Sequence, residues 1–187
     1  MQSSSSIGEG DANPVILGKP MRQTYLIALG SNMRVPGLGL PHNVIEAALH
    51  ELDSSWVECI GASPIVASAP VGPSQRTYAN AVAAIATELS PLALLARLQQ
   101  LEYAFGRNKA QRRGSRWRAR ALDLDIILWS GGIWRSRTLA IPHRLMHHRG
   151  FVLGPAALLA PRWRDPISGL TIAQLNARLT RPRPLTN

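Results

Sequence analysis

Apolar positions along the chain change period several times, and each change marks a boundary between predicted elements. Thr24 to Leu29 (Thr-Tyr-Leu-Ile-Ala-Leu) is a short apolar run closed by Gly30, which predicts a strand. Pro41 to Leu52 places Val44, Ile45, Ala48, Leu49 and Leu52 on one face, the pattern of an amphipathic helix. Trp56 to Ser68 reads as a strand region, closed by the turn-rich Ala69-Pro70-Val71-Gly72-Pro73. Tyr78 to Leu89 is ambiguous: its alanines favour a helix by propensity, yet no capping residue precedes it. Ser90-Pro91 then supplies an N-cap and a first-turn proline for a helix lined by Leu94, Leu95, Leu98, Leu101 and Phe105 and ended by Gly106. Leu122 to Trp129 (Leu-Asp-Leu-Asp-Ile-Ile-Leu-Trp) predicts a strand, and Ile133 to Ala140 is expected to hairpin onto it through Ser130-Gly131-Gly132. Thr171 to Leu179 predicts a last short helix. Helices and strands in this mixed order, without an internal repeat, argue for an α+β sandwich rather than a regular parallel sheet.

A chain of 187 residues, 45% of them hydrophobic, is enough for one domain with a sizeable core and excludes disorder throughout. Residues 1–22, with the serine run Ser3 to Ser6 and few large apolar side chains, read as a flexible leader; residues 23–187 are then a single domain. Cys59 is the only cysteine, so an internal disulfide and a cysteine-based zinc site are excluded, and a reducing, cytoplasmic setting is expected. No apolar stretch reaches the ~18 residues that a membrane span needs, and the N-terminus lacks a secretory pattern. No membrane partner is expected.

Charge narrows the class of partner. Twenty-one basic against eleven acidic residues give +10, which points to a polyanion. Seven of the basic residues (Arg107, Lys109, Arg112, Arg113, Arg116, Arg118 and Arg120) fall in one stretch without an acid, and the remaining chain carries only +3. One dense cluster suits a compact anion such as a phosphorylated small molecule better than the broad face of a nucleic acid. Arginine's planar fork suits phosphate.

Asp123 and Asp125 lie two apart in a predicted strand, so both carboxylates project from one face while Leu122, Leu124 and Ile126 project from the other. Two like charges side by side require a cation, either a metal ion or the arginines just upstream. Such a pair can hold Mg²⁺ against the phosphates of a nucleotide; a solvent-facing strand edge is the plainer alternative. Trp117, set between Arg116 and Arg118, can stack on a base or ring. The same residues would also fit an RNA-binding module with basic loops on a ferredoxin-like sheet. Two nearby carboxylates would repel its phosphate backbone. His143 follows a proline, with His147, His148 and Arg149 close behind; without a further ligand of suitable spacing this is expected to be a hydrogen-bonding rather than a zinc-binding group. Gln99 and Glu102, three apart on the second predicted helix, read on spacing alone as a solvated face. Walker A and G-x-G-x-x-G runs are missing, so any nucleotide is held in another way.

Taken in order, these segments resemble the 6-hydroxymethyl-7,8-dihydropterin pyrophosphokinase family of folate biosynthesis, from about Tyr25 to Pro161. Ala28-Leu29-Gly30-Ser31-Asn32 is similar to its first strand and turn, and Pro70-Val71-Gly72-Pro73, Gln75, Tyr78 and Asn80-Ala81-Val82 to its pterin-side segment. Arg116-Trp117 through Arg120-Ala121-Leu122-Asp123-Leu124-Asp125-Ile126 resembles the family signature, and Ile141-Pro142-His143 and Arg149-Gly150-Phe151-Val152-Leu153 complete the match. The resemblance implies a ferredoxin-like α+β sandwich, an antiparallel-rich sheet flanked by helices with long active-site loops, in which Tyr78 to Leu89 is a strand. It implies that ATP donates its β,γ-pyrophosphoryl group to the hydroxymethyl oxygen of the pterin and leaves as AMP, in a monomer that binds neither nucleic acid nor membrane. Asp123 and Asp125 would be ligands of two Mg²⁺ ions and, with Arg107 and Arg120, the catalytic set. Gln99, Glu102, Arg116, Trp117, His143 and Arg149 would line the ATP side; Ser68, Val71, Tyr78, Asn80 and Phe151 would bind the pterin. Ala119 stands where the family usually has proline, Arg144 where it commonly has proline or tyrosine, and the stretch from Arg107 to Arg116 is a few residues longer than in compact members. That long cationic segment is expected to close over ATP as a lid.

Overall fold

Gln23–Ser31 (β1) is the central strand, paired along its length with Tyr78–Thr87 (β4) on one side and Asp123–Trp129 (β5) on the other, both antiparallel. The structure, a computed structural model, describes residues 21–68, 77–106 and 121–182. Glu58–Ala62 (β2) and Val66–Ser68 (β3) pair in turn with the far edge of β4, giving a five-stranded sheet in the order β2-β4-β1-β5, with β3 following β2 along the same edge of β4. The expected single strand from Trp56 to Ser68 is therefore two. Ser63 joins them: its N–H donates to Val82 O at 2.8 Å and its hydroxyl accepts the Val82 N–H at 3.0 Å, which pairs the sheet where the ladder breaks.

Helices cover both faces. Pro41–Leu52 (α1) and Pro91–Ala104 (α2) bury Val44, Ile45, Ala48, Leu94 and Leu98 against Tyr25, Ile27, Leu29, Leu124 and Ile126. Gly150–Leu159 (α3) and Ile172–Thr180 (α4) bury Val152, Leu153, Ala156, Ile172 and Leu175 against Leu26, Ala28, Val82 and Leu128 on the opposite face. This is the antiparallel α+β sandwich of ferredoxin-like type that the resemblance implied. The Ser90 cap read from sequence forms, its Oγ accepting the Ala93 N–H, and in the last helix Thr171 makes a capping box with Gln174.

Two elements run against local propensity, and one expected pairing does not form. The alanine-rich stretch after Tyr78 is a strand, as the resemblance implied and against its helix propensity, because nearly all of it is buried between two helical layers and its backbone must pair on both sides. The segment after Gly132 does not hairpin onto β5. Ser130 N–H stays bonded to Thr24 O of β1, and Trp134–Arg135 (β6) pairs instead with Ala140–Ile141 (β7) in a separate two-stranded sheet. Finally, α3, for which no helix was expected, carries Gly154 and Pro155 in its interior, two residues that disfavour a helix there. Residues 1–20 of the expected leader, the turn at 69–73 and the basic cluster at 107–120 lie outside the described residues. Among the described residues no helix is long and apolar enough to cross a membrane.

Candidate active site

The strand period puts Asp123 and Asp125 on one face of β5, half-buried, between the buried Leu124 and Ile126 that point into the first core cluster. Register then fixes their neighbours across the sheet. Asp125 lies beside Ala28, which lies beside Val82; one pleat further along, Asp123 lies beside Gly30, which lies beside Asn80. Directly paired residues project from the same face. The row through Val82 and Ala28 is covered by the second core cluster, and the row through Asn80, Gly30 and Asp123 sits just past its edge. Tyr78, two residues before Asn80, extends the same face, and Ser68 pairs with Tyr78 on β3.

Gly30 is the centre of this row. Among the described residues, a Cβ built there would find a single heavy atom within 4 Å, Asn80 Oδ1 at 3.7 Å, so the middle strand itself puts no side chain between the Asn80 amide and the Asp123 carboxylate. Asn80 is 4% exposed and its amide donates to Ser68 Oγ at 2.8 Å, which orients the rest of the amide group on this face. Sequence reasoning treated Gly30 only as the end of a strand; what marks it is a residue without a side chain in register with both polar groups.

The second wall comes from the chain leading into α3. Arg149 Nη1 donates to Asp125 Oδ2 at 3.2 Å, and the same guanidinium lies 5.7 Å over the Phe151 ring. His143 Nε2 stands 3.7 Å from that carboxylate oxygen, while its Nδ1 accepts the Leu145 N–H at 3.2 Å. Burial pushes the His143 imidazole below its ordinary value. The Asp125 and Asp123 carboxylates, which would raise it, do not offset burial together with the Arg149 guanidinium. His143 is therefore neutral at pH 7, a hydrogen-bonding group as its sequence context suggested. A cavity of about 330 Å³ opens beside it, lined by Arg135, Ile141, His143, Arg144, His147 and Ile167 among others.

Asp123, Asp125, His143, Arg149, Phe151, Tyr78, Asn80 and Ser68 are thus brought to one face. Gln99 is exposed on α2, whereas Glu102 is 2% exposed and its Oε1 accepts the Leu124 N–H at 2.9 Å from the core side of β5. The expected solvated face does not hold for Glu102, which lies four and eight residues after Leu98 and Leu94 and shares their stripe. Ser31, also not singled out in the sequence, donates its hydroxyl to Ala121 O at 2.6 Å. Glu102 and Ser31 together fix the start of β5 on either side of Asp123. Val71, Arg107, Arg116, Trp117 and Arg120 lie outside the described residues.

The donor set suits Mg²⁺. It offers two carboxylates on one face, and Mg²⁺ is commonly held by one or two carboxylates, water and substrate phosphates rather than by a closed protein cage. Among the described residues no group of three or more His, Cys, Asp or Glu could enclose a metal ion by itself.

The family model of 7,8-dihydro-6-hydroxymethylpterin-pyrophosphokinase (HPPK) matches residues 26–161. The 2-amino-4-hydroxy-6-hydroxymethyldihydropteridine pyrophosphokinase of Haemophilus influenzae is 43% identical over 134 residues, 71% of this chain and 78% of its own length. That of Pseudomonas aeruginosa is 40% identical over 148 residues, 78% of this chain and 86% of its own. A crystal structure of wild-type Plasmodium falciparum HPPK-DHPS with pteroate superposes with a TM-score of 0.66 over 86% of this chain and 45% of that one; at 12% identity this shows the fold alone. On the strength of the family match and these relatives, the chain belongs to the HPPK family, pyrophosphokinases of folate biosynthesis.

Proposed function

We propose that the chain transfers the β,γ-pyrophosphoryl group of ATP to the hydroxymethyl oxygen of 6-hydroxymethyl-7,8-dihydropterin, releasing AMP, with Asp123 and Asp125 holding two Mg²⁺ ions. The observation that carries this reading is the row Asn80–Gly30–Asp123, which sets an amide, an open space and an acidic pair side by side on one face. A flat heterocycle with amide-like edges needs a side-chain amide for recognition and aromatic surface for affinity; Asn80 provides the first, Tyr78 and Phe151 the second. Ser68 and Val71 would bind the pterin as well in this reading. Bond formation from the hydroxymethyl oxygen to the β-phosphorus and cleavage of the bond from that phosphorus to the AMP oxygen add charge to phosphate oxygens. Bound Mg²⁺ would neutralise part of that charge.

This chain's own residues supply position and further electrostatics. Arg149, already at Asp125, and the neutral His143 face the place where the polyphosphate would lie, and the adjoining cavity with Arg135 and Arg144 gives the nucleotide room. Gln99, Arg107, Arg116, Trp117 and Arg120 belong to the same ATP side in this reading, with Glu102 acting by holding Leu124. Bringing two substrates into line accounts for much of the acceleration in reactions of this type. The test is AMP release by the purified protein with ATP, pterin and Mg²⁺, each omitted in turn and with EDTA. Release only when all three are present supports the reading. Oligonucleotide affinity that falls with salt and needs no Mg²⁺, without AMP release, would favour the RNA-binding alternative.

A further inference from the structure

Asp165 is fully buried, and nothing in the proposed reaction uses it. It lies in the turn between α3 and α4, where Oδ1 accepts the Ile167 N–H at 3.2 Å and Oδ2 accepts both the N–H and the hydroxyl of Ser168, at 3.0 and 2.5 Å. One further partner comes from a different part of the chain: His147 Nε2, 3.1 Å from Oδ2. Burial pushes the Asp165 carboxyl up, but the bonds from Ser168, Ile167 and His147 outweigh it and hold the group below its ordinary value. Asp165 is therefore a carboxylate at neutral pH, and His147 Nε2 is the donor.

His147 sits in a 3-10 turn, Met146–His148, between His143 and Arg149, the two groups that reach Asp125. On its inner side this segment is fastened by His143 N–H to Ile127 O of β5 at 3.1 Å and by the burial of Met146 in the second core cluster. Its outer side is fastened by His147 to Asp165. The charged groups that share the cavity wall with His147, Arg135 and Arg144, are cations, so neither can replace the carboxylate as its partner. We infer that His147 and Asp165 are a positioning pair, which holds the 143–149 segment so that His143 and Arg149 face the Asp123 and Asp125 edge of the site. The inference rests on the pyrophosphoryl-transfer reading. Neither residue touches the reactants; both act through His143 and Arg149, where a displacement of about 1 Å can cost up to 100-fold in rate.

The test compares His147→Ala, His147→Gln and Ser168→Ala in the full chain by steady-state kinetics, pterin calorimetry and thermal unfolding. His147→Ala is expected to lower kcat on the order of tenfold while the pterin Kd stays within about twofold. His147→Gln, whose amide nitrogen can reach the same carboxylate oxygen, restores kcat to within about threefold of wild type. Ser168→Ala removes a different bond to Asp165, lowers the unfolding midpoint and leaves kcat unchanged. Should His147→Ala fail to fold, Asp165→Asn, which keeps the side-chain shape and weakens the bond, carries the same kinetic expectation. Wild-type kcat in His147→Ala, equal kcat losses in His147→Ala and Ser168→Ala, or no recovery in His147→Gln would each overturn the pair while leaving the reaction intact. A wild-type protein that transfers no pyrophosphoryl group would instead sink the reaction and the pair together.

Discussion

Gly30 gives the sharpest test of where the pterin would lie. Among the described residues a methyl group there meets nothing closer than Asn80 Oδ1 at 3.7 Å, an ordinary van der Waals contact, so Gly30→Ala is expected to fold. Its loss of unfolded-state freedom stabilises by about 0.4–1 kcal/mol, which raises the unfolding midpoint by about 1–4 °C in a chain of this size. Gly30→Leu is different. Residues directly opposite on neighbouring strands have Cβ atoms about 4.5–5.5 Å apart, so a leucine side chain fills the space between Asn80 and Asp123. The expected result is an apo protein that still unfolds cooperatively, with a pterin Kd at least about 100-fold weaker, or about 2.7 kcal/mol. Calorimetry reads the Kd. Thermal unfolding with excess pterin gives a second readout, because ligand at about 100 times its Kd stabilises the wild type by about 2.7 kcal/mol and the leucine variant by almost nothing. Wild-type pterin affinity in Gly30→Leu would refute the placement of the ring, and failure of Gly30→Ala to fold would refute the open space itself.

Three further outcomes are expected. Glu102→Ala leaves the buried Leu124 N–H without its acceptor and costs about 1–3 kcal/mol in denaturant unfolding; an unchanged midpoint would show that Glu102 does not hold β5. Because the folded-state value of Asp165 is depressed, its contribution is present above the unfolded carboxylate value near 4 and is lost as pH falls through the lower folded value. The stability difference between wild type and Asp165→Asn should therefore shrink on acidification in that window, and a constant difference from pH 7 to pH 2 would contradict the sign. Asp125→Asn should lower kcat by about 100-fold or more with pterin Kd within about threefold, measured by AMP release and calorimetry; equal losses in both would place Asp125 in pterin binding rather than in the transfer step.

Features written in a single local period were legible in the sequence. The two aspartates alternate with buried apolar residues, so their common face follows from strand geometry alone, and Ser90 announces its helix by cap chemistry. Tyr78–Thr87 is ambiguous by propensity and reads as a strand only through the family resemblance: propensity is a weak local term, and here burial on both faces with pairing on both edges decides. Glu102 was legible in principle, since its spacing from Leu94 and Leu98 puts it on the buried stripe, but a carboxylate there reads as surface until its backbone partner is known. Gly30 and the His147–Asp165 bond depend on register and on contacts 18 residues apart, which no local pattern encodes. Residues at such long separations meet only once the layers are assembled.

The central claim is that Asp123 and Asp125 act together on a divalent cation held against a nucleotide. Mn²⁺ titration followed by electron paramagnetic resonance, with a nonhydrolysable ATP analogue present, tests it directly in wild type, Asp123→Asn, Asp125→Asn and the double variant. The account predicts protein-dependent Mn²⁺ binding in the wild type that weakens about tenfold or more in each single variant and is absent from the double variant. Mn²⁺ bound as tightly by the folded double variant as by the wild type would contradict it.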